Sequence, residues 1–153
     1  MSNEALIPEA VKMALPLVKE LEGFRPAWYL CPAGKRTIGY GETAYAGDAI
    51  AEPDAAELLA KRLRRLLADT IVPAVRVPLA PRQLAALASW TYNVGAGAFR
   101  FSTLLLVLNQ GRYAAVPDEL RRWNKLTRGG SILISAGLTA RRGREAALWL
   151  GNA

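Results

Sequence analysis

Histidine is absent from the 153 residues, and cysteine occurs once, as Cys31. The first absence removes zinc sites of the Cys2His2 kind and any Ser–His catalytic pair. An acid–base catalyst in this chain must therefore be Asp, Glu, Cys, Tyr or Lys. The lone cysteine excludes an internal disulfide. Long apolar runs are missing too: the longest, Leu104 to Leu108, is far shorter than the ~20 residues a membrane span needs, so stable membrane insertion is not expected. The N-terminus opens Met1-Ser2-Asn3-Glu4 without a basic segment, and Glu9, Lys12 and Pro16 interrupt its apolar residues. No export signal is read there, and synthesis in the cytoplasm is the expectation. Internal repeats, low-complexity tracts and metal-ligand or cofactor motifs are absent as well, so neither a metal nor a cofactor is expected.

What is present fits a single domain able to bury a core unaided, with 52% apolar and 22% charged residues. The net charge of +7 is concentrated in Lys61-Arg62-Leu63-Arg64-Arg65 and in Arg141-Arg142-Gly143-Arg144. A basic surface suits polyanions: nucleic acid, anionic lipid or an acidic wall polymer; it also serves as a solvated face that keeps a protein soluble. Nucleic acid is set aside as a partner, because no aromatic or turn motif accompanies the charge.

Val11, Ala14, Leu15, Val18 and Leu21 form a helical stripe over residues 8 to 21. Pro16 inside it predicts a kink or a restarted helix, and Gly23 a C-terminal stop. Residues 24 to 46 change character, with aromatic and β-branched residues around glycines 34, 39 and 41. Cys31-Pro32-Ala33-Gly34 fits a type I turn between two strands of a small antiparallel sheet that must lean on helices. Pro53 to about Thr70 reads as an amphipathic helix with a basic outer face. Residues 71 to 81 form a connection. Helical patterns follow over 82–94, 102–109, 115–122 and 140–150, punctuated by Gly95, Gly97, Gly111 and Gly129-Gly130. The expectation is an α+β protein, mainly helical. A small β lobe spans about 24–52, a connecting helix about 53–70, and a helical lobe about 78–153 is joined by the N-terminal helix. The ligand would lie in a cleft between the lobes.

Three side chains around the turn can do chemistry. Glu22 closes a helix, where the negative end of the dipole and any burial beside Phe24 favour a protonated carboxyl, as a general acid for a glycosidic oxygen requires. An ordinary exposed helix-end glutamate would look the same. Cys31 is either a small buried apolar group or a chemical one. Thr37, Gly39 and Gly41 share one strand face, where bare backbone could receive a polymer and the hydroxyl could hold a water.

Together, Glu22-Gly23 … Tyr29 … Cys31 … Gly34 … Thr37-Ile38-Gly39-Tyr40-Gly41 resembles the phage-type lysozymes, the T4 lysozyme-like endolysins, and most of all their lambdoid branch. Further along, Ser89-Trp90-Thr91-Tyr92-Asn93-Val94-Gly95-Ala96-Gly97-Ala98-Phe99, Ser102-Thr103-Leu104-Leu105, Leu108-Asn109-Gln110-Gly111 and Arg122-Trp123-Asn124-Lys125 follow in the family's order. Gly137-Leu138-Thr139-Ala140-Arg141-Arg142 with Glu145 completes it. The resemblance implies a lysozyme-like fold and muramidase activity: hydrolysis of the β-1,4 bond between N-acetylmuramic acid and N-acetylglucosamine in peptidoglycan. It implies Glu22 as general acid, Cys31 at the position usually held by Asp, and Thr37 positioning the attacking water. Thr43, Tyr92 and Ser102 would line the saccharide groove, and Arg141 or Arg142 would pair with Glu22. It further implies a monomer that waits in the host cytoplasm until a holin opens the inner membrane.

Two departures stand out. An ordinary thiol is mostly protonated at pH 7, so Cys31 needs a depressed pKa, from Lys35, Arg36 or another cation, unless it contributes weakly or acts as a nucleophile. Glu42 occupies the place of a common family histidine, which puts the family's salt bridge there in question. A lytic transglycosylase using Glu22 alone and a wall-binding module whose catalysis has lapsed are the alternatives.

Overall fold

The computed structural model describes residues Met1–Asn152. After a 3-10 turn at Glu4–Leu6, helix α1 runs Ile7–Glu22 and leads into a hairpin of β1 (Arg25–Leu30) and β2 (Arg36–Gly39). Helix α2 (Glu52–Leu66) continues through a π turn at Leu67–Ile71 into the short α3 (Val72–Ala74). The rest is α4 (Pro81–Val94), α5 (Ala96–Arg100), α6 (Thr103–Asn109), α7 (Val116–Arg121), a second hairpin β3 (Lys125–Arg128) and β4 (Ser131–Ile134), and α8 (Ala136–Leu150). The protein is mainly helical with a small antiparallel sheet, as the sequence predicts for its class, and a second two-stranded sheet is added to it. Among the described residues no helix is long and apolar enough to cross a membrane.

Helix α1 buries Ile7, Ala10, Val11, Ala14, Leu17 and Val18 along one stripe. It passes through Pro16 as one helix, against the expected restart. The carbonyl that Pro16 leaves without a donor is that of Lys12; both residues face solvent, where the carbonyl is open to water. Gly23, at φ 75°, ends the helix by donating its N–H to the Lys19 carbonyl at 3.0 Å.

In α2 and its extension the buried apolar positions are Ala55, Leu59, Leu63, Leu67 and Ile71, a repeat of four, with Thr70 buried beside the last of them. On a regular helix that repeat drifts by about 40° per step. The wider π turn at its end returns Leu67 and Ile71 to the core.

Helix α4 is the centre of the fold. Leu84 to Thr91 are all buried, and α1 and α8 pack on it. Trp90 lies edge-on between Phe99 and Trp123, with ring centroids 6.1 and 5.5 Å away.

The hairpin of β3 and β4 does not follow from the helical patterns, which treat Gly129-Gly130 as punctuation. Both glycines have positive φ, 57° and 80°, and Arg128 pairs with Ser131 across them. That is a two-residue hairpin loop, and a Gly-Gly pair between β-prone runs is its sequence signal.

Candidate active site

The expected turn is present in the first hairpin. The Cys31 carbonyl accepts from the Gly34 N–H at 2.8 Å, and the Cys31 N–H donates to the Lys35 carbonyl at 2.9 Å. Tyr29 stands opposite Thr37 and Leu30 opposite Arg36, so the pairing brings Cys31 and Thr37 to the same end of the sheet. The half-buried Cys31 thiol is held below the ordinary cysteine range. The main cause is the backbone N–H of Lys35; the N–H of Ala33 adds to it, against the opposing effect of burial. The expected cation is therefore replaced by backbone donors that stabilise a thiolate. Arg36 is turned elsewhere, its guanidinium 4.3 Å from the Trp28 ring. Thr37 is buried, and its hydroxyl donates to the Lys35 carbonyl at 3.0 Å. Its lone pairs remain able to accept a bond.

The strand face of Thr37, Gly39 and Gly41 is not the bare surface expected. A Cβ on Gly39 would sit 3.2 Å from the Ala55 Cβ of α2, and one on Gly41 would sit 3.1 Å from the Tyr92 hydroxyl. These glycines, at φ 67° and 99°, let the β lobe close onto α2 and α4. Two further ties fix that closure. Lys19 of α1 and Tyr40 both bond the Glu52 carboxylate at the start of α2. Arg62 of α2 donates to the Gly41 carbonyl at 3.0 Å and to Glu42 at 3.2 Å. Glu42 thus makes a salt bridge of its own in the position of the family histidine.

Glu22 closes α1 with its carboxylate about a quarter exposed, and Arg141 of α8 donates to it at 2.8 Å. This answers which arginine pairs with Glu22. Arg142 points the other way, donating to Asn93 at 2.7 Å and to the Trp123 carbonyl at 3.4 Å. Its Nε lies 2.8 Å from Glu145 Oε2, an ion contact without the alignment of a hydrogen bond. Glu145, fully buried, also accepts from Arg141 Nε at 3.2 Å and from the Ser89 hydroxyl at 2.8 Å. Burial pushes the Glu145 carboxyl up and the Arg142 guanidinium down, and their mutual attraction opposes both shifts. Each guanidinium keeps its proton in any protein environment, so two positive groups flank this one carboxyl.

The expected saccharide-groove residues have varied surroundings. Thr43 is exposed on the loop after β2. Tyr92 is half-buried, its hydroxyl donating to the Tyr40 carbonyl at 2.7 Å and its ring 4.8 Å from the Arg62 guanidinium. Burial pushes its phenol up to about 12, so it stays protonated. Ser102 caps α6: its hydroxyl donates to the Phe99 carbonyl at 2.7 Å and accepts from Leu105 N–H at 3.1 Å. It lines a groove of about 420 Å³ with Arg76, Leu106 and Asn109. Among the described residues no cluster of metal-ligating groups is found.

Comparison with known proteins carries the same signature. The family model described as phage lysozyme matches residues 19–145. An endolysin of Acyrthosiphon pisum secondary endosymbiont phage 1 is 36% identical over 137 residues, covering 88% of this chain and 93% of the relative. Among solved structures, the endolysin from Escherichia coli O157:H7 phage FAHEc1 superposes with a TM-score of 0.84 at 30% identity, covering 93% of each chain. The muramidase domain of SpmX from Asticaccaulis excentricus gives 0.83 at 32% identity, covering 90% of this chain and 94% of that one. This chain belongs to the phage lysozyme family and is a peptidoglycan-hydrolysing muramidase of the endolysin kind.

Proposed function

We propose that Glu22 is the general acid of glycoside hydrolysis, with Cys31 and Thr37 acting on the water. The observation that carries this is the pairing of the Glu22 carboxylate, fixed by Arg141 where α1 ends, with a hairpin turn that stabilises a thiolate only nine residues later. Glu22 transfers its proton to the bridging oxygen, which leaves as the 4-hydroxyl of N-acetylglucosamine. The Cys31 thiolate takes a proton from a water that Thr37 helps to orient, and the resulting hydroxide forms the new bond at the anomeric carbon of N-acetylmuramic acid. Thr43, Tyr92 and Ser102 serve the saccharide, Tyr92 through its ring, since its hydroxyl is already bonded. Arg141 supports the acid directly and Arg142 supports it through Glu145.

The biological reading is host lysis by a monomer. It accumulates in the host cytoplasm, crosses to the wall through a holin-opened membrane, and meets the anionic wall with its surface of net charge +7. One lysis assay tests both parts. Glu22→Gln, with an unchanged circular dichroism spectrum, abolishes turbidity loss on permeabilised Gram-negative cells, whereas full activity would overturn the acid assignment. With the wild type, intact cells expressing the chain lyse only when a holin is co-expressed, and lysis without one would overturn the release route. Mass spectrometry of the muropeptides finds hydrated reducing ends; products lighter by one water would mean transglycosylation.

A further inference from the structure

Glu145 is fully buried and does not touch Glu22, yet it is the hub of the only cluster that reaches the acid among the described contacts of Glu22. Its Oε1 accepts from Ser89 of α4 at 2.8 Å and from Arg141 Nε at 3.2 Å, while Oε2 lies against Arg142 Nε. Arg141 then presents Nη1 to Glu22 and Nη2 to the Ser89 carbonyl at 3.3 Å. A guanidinium has five donors in a rigid plane, so holding one edge fixes where the other points. We propose that Glu145 is a positioning residue for hydrolysis: it locks the Arg141 guanidinium against Glu22 and shares that arginine's charge.

The charge balance explains why the hub is acidic. A neutral side chain could also receive Arg141, but it would leave two adjacent arginines with Glu22 as their one anionic neighbour. The charged and titratable groups facing this cluster are Arg141 and Arg142 from α8 and Glu22 from α1. From α4 come the Ser89 hydroxyl and the phenol of Tyr92, which senses both Glu22 and Arg141. Asn93 of α4 and the Trp123 carbonyl after α7 complete the neutral shell of Arg142. With Glu145 ionised, part of the field of Arg141 is spent on it. Without that charge, Arg141 loses its charged anchor, and the plane of its guanidinium is free to swing off the Glu22 carboxylate.

This inference rests on Glu22 being the acid, and the test separates the two. Kinetics on a soluble muramic acid–glucosamine oligosaccharide are measured for the wild type, Glu22→Gln, Glu145→Gln and Ser89→Ala, each checked for its fold by circular dichroism. Glu145→Gln is expected to lower kcat by about 100-fold at unchanged KM, as misplacing a catalytic contact does. A folded Glu145→Gln protein with the wild-type kcat overturns the proposal. If that variant does not fold, Ser89→Ala decides: it keeps the charge and both arginine contacts to Oε1 but removes the hydroxyl that seats the carboxylate on α4, and is expected to lower kcat severalfold at unchanged KM, while a wild-type kcat overturns the proposal. An active Glu22→Gln removes the acid assignment and this inference with it. An inactive Glu22→Gln beside a wild-type kcat in Glu145→Gln removes this inference alone.

Discussion

The two sides of the site are built in opposite ways. Glu22 is held by a side chain 119 positions away, through a guanidinium that is itself anchored on a carboxylate inside the core. Cys31 is held by its own turn, through backbone N–H groups within four residues of it. The difference follows from what each side must stabilise. A charge brought inside a protein needs a counter-charge with the rest of its hydrogen bonds satisfied, and only distant elements packed together can supply that. A thiolate at a half-exposed turn needs little more than oriented donors, which a tight turn provides locally.

This contrast can be broken by substitution, and the largest effect is expected at the acid's side. Arg142→Met leaves the buried Glu145 with one guanidinium instead of two, and a loss of about 3–5 kcal/mol in urea-unfolding stability is expected. A loss below 1 kcal/mol, the range of exposed pairs, would mean that the cluster is open to solvent. A smaller loss is expected where the turn side joins the scaffold. Gly39→Ala forces a side chain into φ 67° and against Ala55, which should cost about 1–3 kcal/mol while leaving the turn at residues 31–34 intact.

The smallest effect on stability, and the sharpest on chemistry, belongs to Cys31. Its alkylation rate by iodoacetamide should rise to half-maximum at a pH below that of an unfolded cysteine peptide. The sign for folding follows from the depressed thiol: its contribution is present above the unfolded cysteine value and fades as pH falls through the folded one. Cys31→Asp should extend wall hydrolysis to lower pH, and Cys31→Ser should flatten the acid limb. An alkylation profile matching the free peptide would remove the thiolate from the reaction.

Legibility in the sequence divides along the same line. The helix stop at Glu22-Gly23, the turn at Cys31 to Gly34 and the strand bearing Thr37 rest on bonds within a few residues, so residue types and spacing sufficed to read them. The second hairpin was equally local; its Gly129-Gly130 signal lay in view among stronger helical patterns. The glycines at 39 and 41 were harder. Their positive φ could be read as open backbone or as close approach, and only the positions of α2 and α4 show that they are packing sites.

The sequence by itself determined the class of the fold, the family and the cluster of reactive side chains around one turn, because each is written in short-range pattern. The tertiary structure alone decided how the acid is held. Arg141 and Arg142 are neighbours on α8, about 100° apart around its axis, and equally able to make an ion pair. Which one reaches Glu22 depends on how α8 is rotated against α4. That rotation is set by the burial of Ala146, Leu148 and Trp149 and by the seat of Glu145 on Ser89, contacts no local pattern encodes.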